Sequence, residues 1–389
     1  MYILFMFWIS LLNVTFIETD PKILITDVTK KEGNNMTSAF DIKVSLNKTS
    51  PKLITVVYNT REGTARAGED FISLSDNTLI FKPGEKEKTI SVSIKADDVK
   101  EGDDQFTINL SAQTNAQLEK NSATITILND DTKVWFSNSG YESPLTYAGY
   151  SLVWADEFNS NQLNTTDWTY QNGDGCPALC GWGNNELQFY TNRNENLFFQ
   201  DGKLVIEAKK EPMSGKEFTS SKIVTSGKKA FKYGRIDIRA ILPKGKGIWP
   251  ALWMLPQTNK YGGWPMSGEI DIMEMIGHEA NKVYGTLHYG QAWPKNEQKG
   301  GYFTLSSGLF NDAFHVFSIE WKEDQIKWFI DGELFTTVNK ADMGAAHYPF
   351  NEEFYFIFNL AVGGNWPGNP DGNTYLPQWL IVDYIRVYQ

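Results

Sequence analysis

Alternation of apolar and polar positions with a period of two runs through most of this chain. "TLIFK" and "KTISVSIKA" show it early, set off by turn-rich "KPGEKE" and "ADDVKEGDD". Successive strand side chains point to opposite faces, so such runs predict half-buried strands. "KLVIEAKK" and "RIDIRAIL" repeat the pattern further on, and "EFYFIFNLAVGG" and "LIVDYIRVYQ" add strands near the end. "IKWFIDGELFTTV" predicts a hairpin, because Asp331-Gly332 can adopt the positive φ angles of a tight turn. No long stretch holds a helical period. The fold class is therefore all-β. Residues 20–133 read as one small β module, polar "FSNSGYESPLTYAG" predicts a linker over 134–147, and 148–389 form a second domain. Many short antiparallel strands over about 240 residues predict a two-sheet sandwich of jelly-roll type.

One stretch breaks the period. In "SGEIDIMEMIG", Glu269 and Asp271 share a strand face, the next position on that face is Met273, and the third acid comes one residue late at Glu274. A helix would place Glu269 and Glu274 about 140° apart, and a regular strand would send them to opposite faces. One extra residue, a β-bulge near Ile272 or Met273, returns all three acids to one face. Ile270, Ile272 and Ile276 make the other face apolar. Paired carboxylates on one open face can break a glycosidic bond with retention: one attacks the anomeric carbon, and the other protonates the leaving oxygen and then activates water. The acid must hold its proton near neutral pH, and a nearby like charge raises its pKa. Asp271, between them, can pass a hydrogen bond to the nucleophile.

Composition sharpens the ligand class. The chain has 389 residues, a net charge of -11 and 13 tryptophans, all but Trp8 and Trp135 in the second domain. The charge argues against nucleic acid, whereas an acidic, aromatic-rich protein suits a neutral, hydroxyl-rich polysaccharide. Trp249 and Trp253 lie four apart on one strand face, and Trp264 sits close before the acids; these three are candidate sugar platforms. Pro250 removes a ladder donor and so places its strand at an edge or a bulge. Trp154, Trp168, Trp321 and Trp328 read as core, and Trp366 falls in a loop. No G-x-S-x-G elbow, P-loop or H-E-x-x-H motif occurs. His288, in "GTLHYG", is the one histidine expected in a cleft.

The first residues, "MYILFMFWISLLNVTFI", resemble the apolar core of an export signal over 1–19 without its basic start. No second apolar run of spanning length follows, so the expectation is a secreted or cell-surface protein with no membrane span when mature. Cys176 and Cys180 are then either two free thiols or a small loop-closing disulfide.

With these residues in view, the second domain resembles glycoside hydrolase family 16, in the laminarinase (endo-1,3-β-glucanase) branch. "GEIDIMEMIG" matches its bulged E-x-D-x-x-E signature. "LVWADEFN", "GWGNNELQFYTNRNEN", "YGRIDIRAILPKGKGIWPALWMLP", "NKVYGTLHYG", "FNLAVGGNWPG" and "VDYIRVYQ" follow in family order. The resemblance implies a β-jelly roll with an open cleft, and in it Glu269 as nucleophile, Asp271 as its partner and Glu274 as acid/base. It implies Asn184, Arg193, Trp249, Trp253, Trp264 and His288 as substrate-binding residues. It also implies a structural calcium at Glu157, the Gly202 carbonyl and Asp383, and no cofactor for catalysis. Residues 20–133 resemble a Calx-β module, an immunoglobulin-like β-sandwich, through "YNTREGTARAGEDFISLSDNTLIFKPGEKEKTISVSI" and "ATITILNDD". Its matching acids are Glu32, Asp70, Asp97, Asp98, Glu101, Asp130 and Asp131, either a calcium site or a solvated acidic end. The expected partner is β-glucan, acted on by a monomer. A mixed-linkage 1,3-1,4-glucan or an algal galactan is the alternative substrate, and a non-catalytic glucan-recognition protein is a further reading.

Overall fold

A computed structural model describes residues 20–34 and 36–389. The export signal expected over 1–19 lies outside the described residues. The chain divides between Thr132 and Lys133 into two compact units. Each has its own core.

The first unit packs a four-stranded sheet against a five-stranded one. Alternation sets its core directly. In the strand Thr37–Leu46, Phe40, Ile42, Val44 and Leu46 are buried while Asp41 and Lys43 face solvent. The phenyl rings of Phe71 and Phe106 stack at 4.1 Å between the sheets.

The second unit is a sandwich of a ten-stranded and a seven-stranded sheet. The seven-stranded sheet carries the candidate chemistry. Its strands, in chain order, are β1 (Thr169–Tyr170), β2 (Lys222–Val224), β3 (Ile248–Pro256), β4 (Glu269–Glu274), β5 (Lys282–Gly290), β6 (Asn296–Thr304) and β7 (Phe354–Val362). Side by side they run β1-β2-β7-β3-β4-β5-β6. The expected hairpin forms in the other sheet: strands Gln325–Ile330 and Glu333–Asn339 flank Asp331 and Gly332, at φ 52° and 82°.

One expectation resolves and one needs correction. Of the edge or bulge expected at the strand of Pro250, the bulge is found: β3 is flanked by β7 and β4, so it is no edge. The irregularity lies against β4, between Leu252 and Trp253. Residues 134–147 do not behave as a free linker. Val134 is buried with Val205, Ile241, Phe314 and Ile381. Arg239 donates to the carbonyls of Tyr141 and Asn138, and Tyr384 bonds Ser143. The polar composition of the segment concealed its few anchoring apolar residues and its backbone acceptors.

Candidate active site

The late acid is accommodated as its spacing predicts. Along β3, Glu274 lies opposite Ala251 and Met273 opposite Leu252, but Asp271 lies opposite Trp253, so Ile272 is the extra residue. The same shift appears against β5, where Asp271 meets Thr286 and Glu274 meets Tyr284. Gly285 alone faces the added residue. A Cβ at Gly285 would come within 2.3 Å of the Trp328 ring, so only glycine fits there. Trp328, from the opposite sheet, donates its indole N–H to the Asp271 carbonyl at 2.8 Å. A core tryptophan and a glycine thus hold the bulge from behind. Ile270, Ile272 and Met273 are buried in the core.

On the open face, Trp264 Nε1–H donates to Glu269 Oε2 at 2.8 Å, and Trp249 Nε1–H donates to Glu274 Oε1 at 3.0 Å. His288 lies directly across from Glu269. Its Nε2 is 3.7 Å from Glu269 Oε1 and 3.2 Å from Asp271 Oδ2. Among the described residues no hydrogen bond joins Asp271 to Glu269. The partnership expected from the sequence is replaced by charge proximity, with His288 facing both acids. Trp253 donates to Asn359 Oδ1 at 2.7 Å. A pocket of about 320 Å³ lies beside Trp264 and Gly268, lined also by Tyr355, Ser226 and Ser267.

Burial dominates the electrostatics. It pushes Glu269 up to about 8, with Asp271 adding repulsion and His288 opposing it. Glu274 is also pushed up to about 8, by burial and then by Asp271. Burial holds Asp271 well above the usual carboxylate range. Crowded carboxyls shielded from water do not all ionise together, so the cluster keeps a proton near neutral pH. An ionised carboxylate beside a protonated one is the pair needed for nucleophilic attack with acid assistance.

This geometry has known counterparts. The sequence profile of Glycosyl hydrolases family 16 matches residues 184–379. The chain belongs to glycosyl hydrolase family 16. A Calx-beta domain profile matches residues 18–131, so the first unit is a Calx-beta domain. The chain is 45% identical over 260 residues to a glucan endo-1,3-beta-glucosidase A1 of Niallia circulans, covering 62% of this chain but only 38% of that protein's length. It is 43% identical over 256 residues to a beta-glucanase of Rhodothermus marinus, covering 62% of this chain and 85% of the relative. Among solved structures, the laminarinase catalytic domain of Thermotoga maritima shares 44% identity, with a TM-score of 0.58, over 62% of this chain and 98% of that one.

Within the family 16 unit, the other expected residues separate. Asn184 ends a short 3-10 turn, Cys180–Gly183. Cys176 and Cys180 form a disulfide that closes the same loop. Arg193 is drawn to the side, where Glu211 and Asn196 hold its guanidinium. Among the described residues the expected calcium ligands, Glu157, Gly202 and Asp383, do not group as a metal cluster. Glu157 is gripped at both oxygens by Arg386, at 2.7 and 2.8 Å. Asp383 pairs with Lys203 at 2.9 Å and with Arg239 at 2.5 Å. Their negative charge is already met by side chains, so the set does not fit a calcium ion. In the Calx-beta domain the acids divide into two groups, Glu32 with Asp130 and Asp131, and Asp70 with Glu101 and Asp104. Asp97 and Asp98 belong to neither, and Asp97 instead caps the Val99 N–H.

The sequence reading missed a buried polar layer beside Trp253. Glu186 accepts from Gln188 at 2.6 Å and from Tyr190 at 3.3 Å, and Asn359 donates to Tyr190. Lys222 is 7% exposed next to it. One signal was available: "TSSKIVT" is a short strand-like run with a single charge in it.

Proposed function

We propose that this chain is a secreted, retaining endo-1,3-β-glucanase. The carrying observation is the bulged strand, which sets Glu269 and Glu274 on one open face, each held by an indole N–H, while Met273 packs in the core. Glu269, ionised, attacks the anomeric carbon as the bond to the leaving oxygen breaks. Glu274 gives that oxygen its proton. In the second half Glu274 takes a proton from water, whose oxygen displaces Glu269 from the sugar. His288 lies beside Glu269 and Asp271 and favours the ionised form of Glu269 and of Glu274 alike. Trp249, Trp253 and Trp264 offer ring faces to the pyranose units. The disulfide supports an oxidising, extracellular setting. The test is hydrolysis of a linear 1,3-β-glucan followed by NMR. Internal cleavage releasing the β-anomer first supports the reading; the α-anomer first, or turnover only of galactans or mixed-linkage glucan, refutes it.

For the Calx-beta domain the proposal is a calcium site at Glu32, Asp130 and Asp131. All three donors are oxygens, the kind calcium prefers. Burial, reinforced by Glu101, Asp97 and Asp131, pushes Glu32 up to about 7, and a bound cation would relieve that cost.

A further inference from the structure

Behind Trp253 runs a chain of buried polar groups that the catalytic scheme does not use. Trp253 lies on β3, and its indole N–H donates to Asn359 Oδ1 at 2.7 Å. Asn359, on β7, donates through Nδ2 to the Tyr190 hydroxyl at 3.1 Å. That hydroxyl donates to Glu186 Oε2 at 3.3 Å, and Gln188 Nε2 donates to the same oxygen at 2.6 Å. Gln188 Oε1 in turn accepts the Val362 N–H at 2.8 Å. Gln188 and Tyr190 lie on a strand of the ten-stranded sheet, so the chain crosses from one sheet to the other.

One direction of donation satisfies every member. An indole N–H and a backbone N–H can only donate, so Trp253 at one end and Val362 at the other fix the amides of Asn359 and Gln188. Both amides then turn an NH2 group inward. An ionised carboxylate is acceptor-only, and Glu186 meets the Gln188 amide directly and the Asn359 amide through the Tyr190 hydroxyl. Burial raises Glu186, while Gln188, Lys222 and Asn184 favour its charged form. Tyr190 is 1% exposed, out of reach of a sugar in the cleft. What its hydroxyl decides is which end of the Asn359 amide faces Trp253. With that amide reversed, the indole N–H would point at an NH2 group and lose its acceptor, which is costly for a donor shielded from water.

We propose that Tyr190, keyed by Glu186, is a positioning residue that aims the Trp253 indole for stacking on a glucosyl ring. The inference rests on the glucanase reading of the cleft. Tyr190 acts through Trp253, on substrate binding and not on the bond-breaking step.

The test is Tyr190→Phe, which removes one oxygen and keeps the ring that packs on Trp182 at 5.6 Å. On a linear 1,3-β-glucan its KM should rise about fivefold with kcat within about twofold, as loss of one ordering hydrogen bond implies. Trp253→Phe should itself raise KM. Adding Tyr190→Phe to it should change KM by less than about twofold, because no indole remains to be aimed. With isotope-labelled tryptophan, the NMR signal of the Trp253 indole N–H, identified by its loss in Trp253→Phe, should move in Tyr190→Phe. An unchanged KM overturns the proposal. So does the same fivefold rise in the Trp253→Phe background, because Tyr190 then acts by another route. A lowered melting temperature with KM and the indole signal unmoved marks the hydroxyl as structural only and overturns it too. Should Tyr190→Phe fail to fold, Glu186→Leu removes the key from the other side, and the same readings decide. Wild-type turnover of the glucan tests the glucanase reading by itself, and the indole signal needs no substrate, so the two failures are distinct.

Discussion

Acidic side chains gather at two kinds of place in this protein, and the two are built on different principles. In the family 16 unit three carboxyls project from one six-residue strand. Their positions follow from the pleat, the bulge and the core residues behind them, and tryptophan N–H groups hold the two glutamates. In the Calx-beta domain Glu32, Asp130 and Asp131 come from loop segments at strand ends. Their partners come from each other's loops, 97 residues apart in the chain: the Gly33 N–H to Asp130, the Asn129 amide to Glu32, and the Asn34 amide to Asp131. A strand fixes acids relative to one another whatever occupies the site. Loop acids are fixed chiefly by what binds them. The first arrangement suits catalysis, which needs geometry set before the substrate arrives; the second suits an ion.

The largest expected effect lies in the strand cluster. Glu269→Gln should lower turnover of 1,3-β-glucan at least about a thousandfold while the melting temperature holds. Glu274→Ala should lose about a hundredfold or more on glucan and much less on an aryl glycoside whose leaving group needs no proton. Equal losses on both substrates would remove Glu274 from the acid role.

The pH response should separate the clusters next. In the catalytic cluster, activity should decline as pH passes about 8, where Glu274 gives up its proton. Stability carries the same sign. Folding raises Glu269 and Glu274 from 4.5 to about 8, so the folded state binds protons more tightly. Their stabilising contribution is complete below 4.5 and is lost as pH climbs to about 8. Glu274→Gln should flatten that decline in a thermal-melt series; an unchanged slope would show that Glu274 is not a proton holder.

The smallest effect is expected from calcium. Millimolar calcium should raise the melting temperature of the Calx-beta domain by a few degrees, as binding to the folded state alone requires. It should leave kcat unaltered, and Asp130→Ala should remove the shift. A shift in the family 16 unit instead would contradict the ion pairs of Glu157 and Asp383.

How much of this could be read beforehand depends on where each residue's partners lie in the chain. The bulge was legible because the period error and its apolar counter-face sit within a few residues. The Asp331-Gly332 hairpin was legible for the same reason, and the four core tryptophans followed from the preference of a large indole for the core, three of them within strands. Lys222 was not: its neighbours Trp182, Trp253 and Asn359 come from three separate parts of the chain. The ion pairs of Glu157 and Asp383 were not legible either, because Arg386, Arg239 and Lys203 reach those acids from strands brought together only by folding. Family likeness located the acids but not their counter-charges.

The bulge itself can be tested by two rearrangements of one pair of residues. Deleting Met273 turns "EIDIME" into a regular strand whose alternation still keeps all three acids on the open face. Exchanging the pair, Met273→Glu with Glu274→Met, keeps length and composition but sends the charge into the core. Turnover of 1,3-β-glucan should survive the deletion in measurable degree and vanish in the exchange, with a lowered melting temperature for the buried charge. An active exchange variant, or a deletion as inert as Glu274→Ala, would contradict the placement of Glu274 beside Glu269 in the cleft.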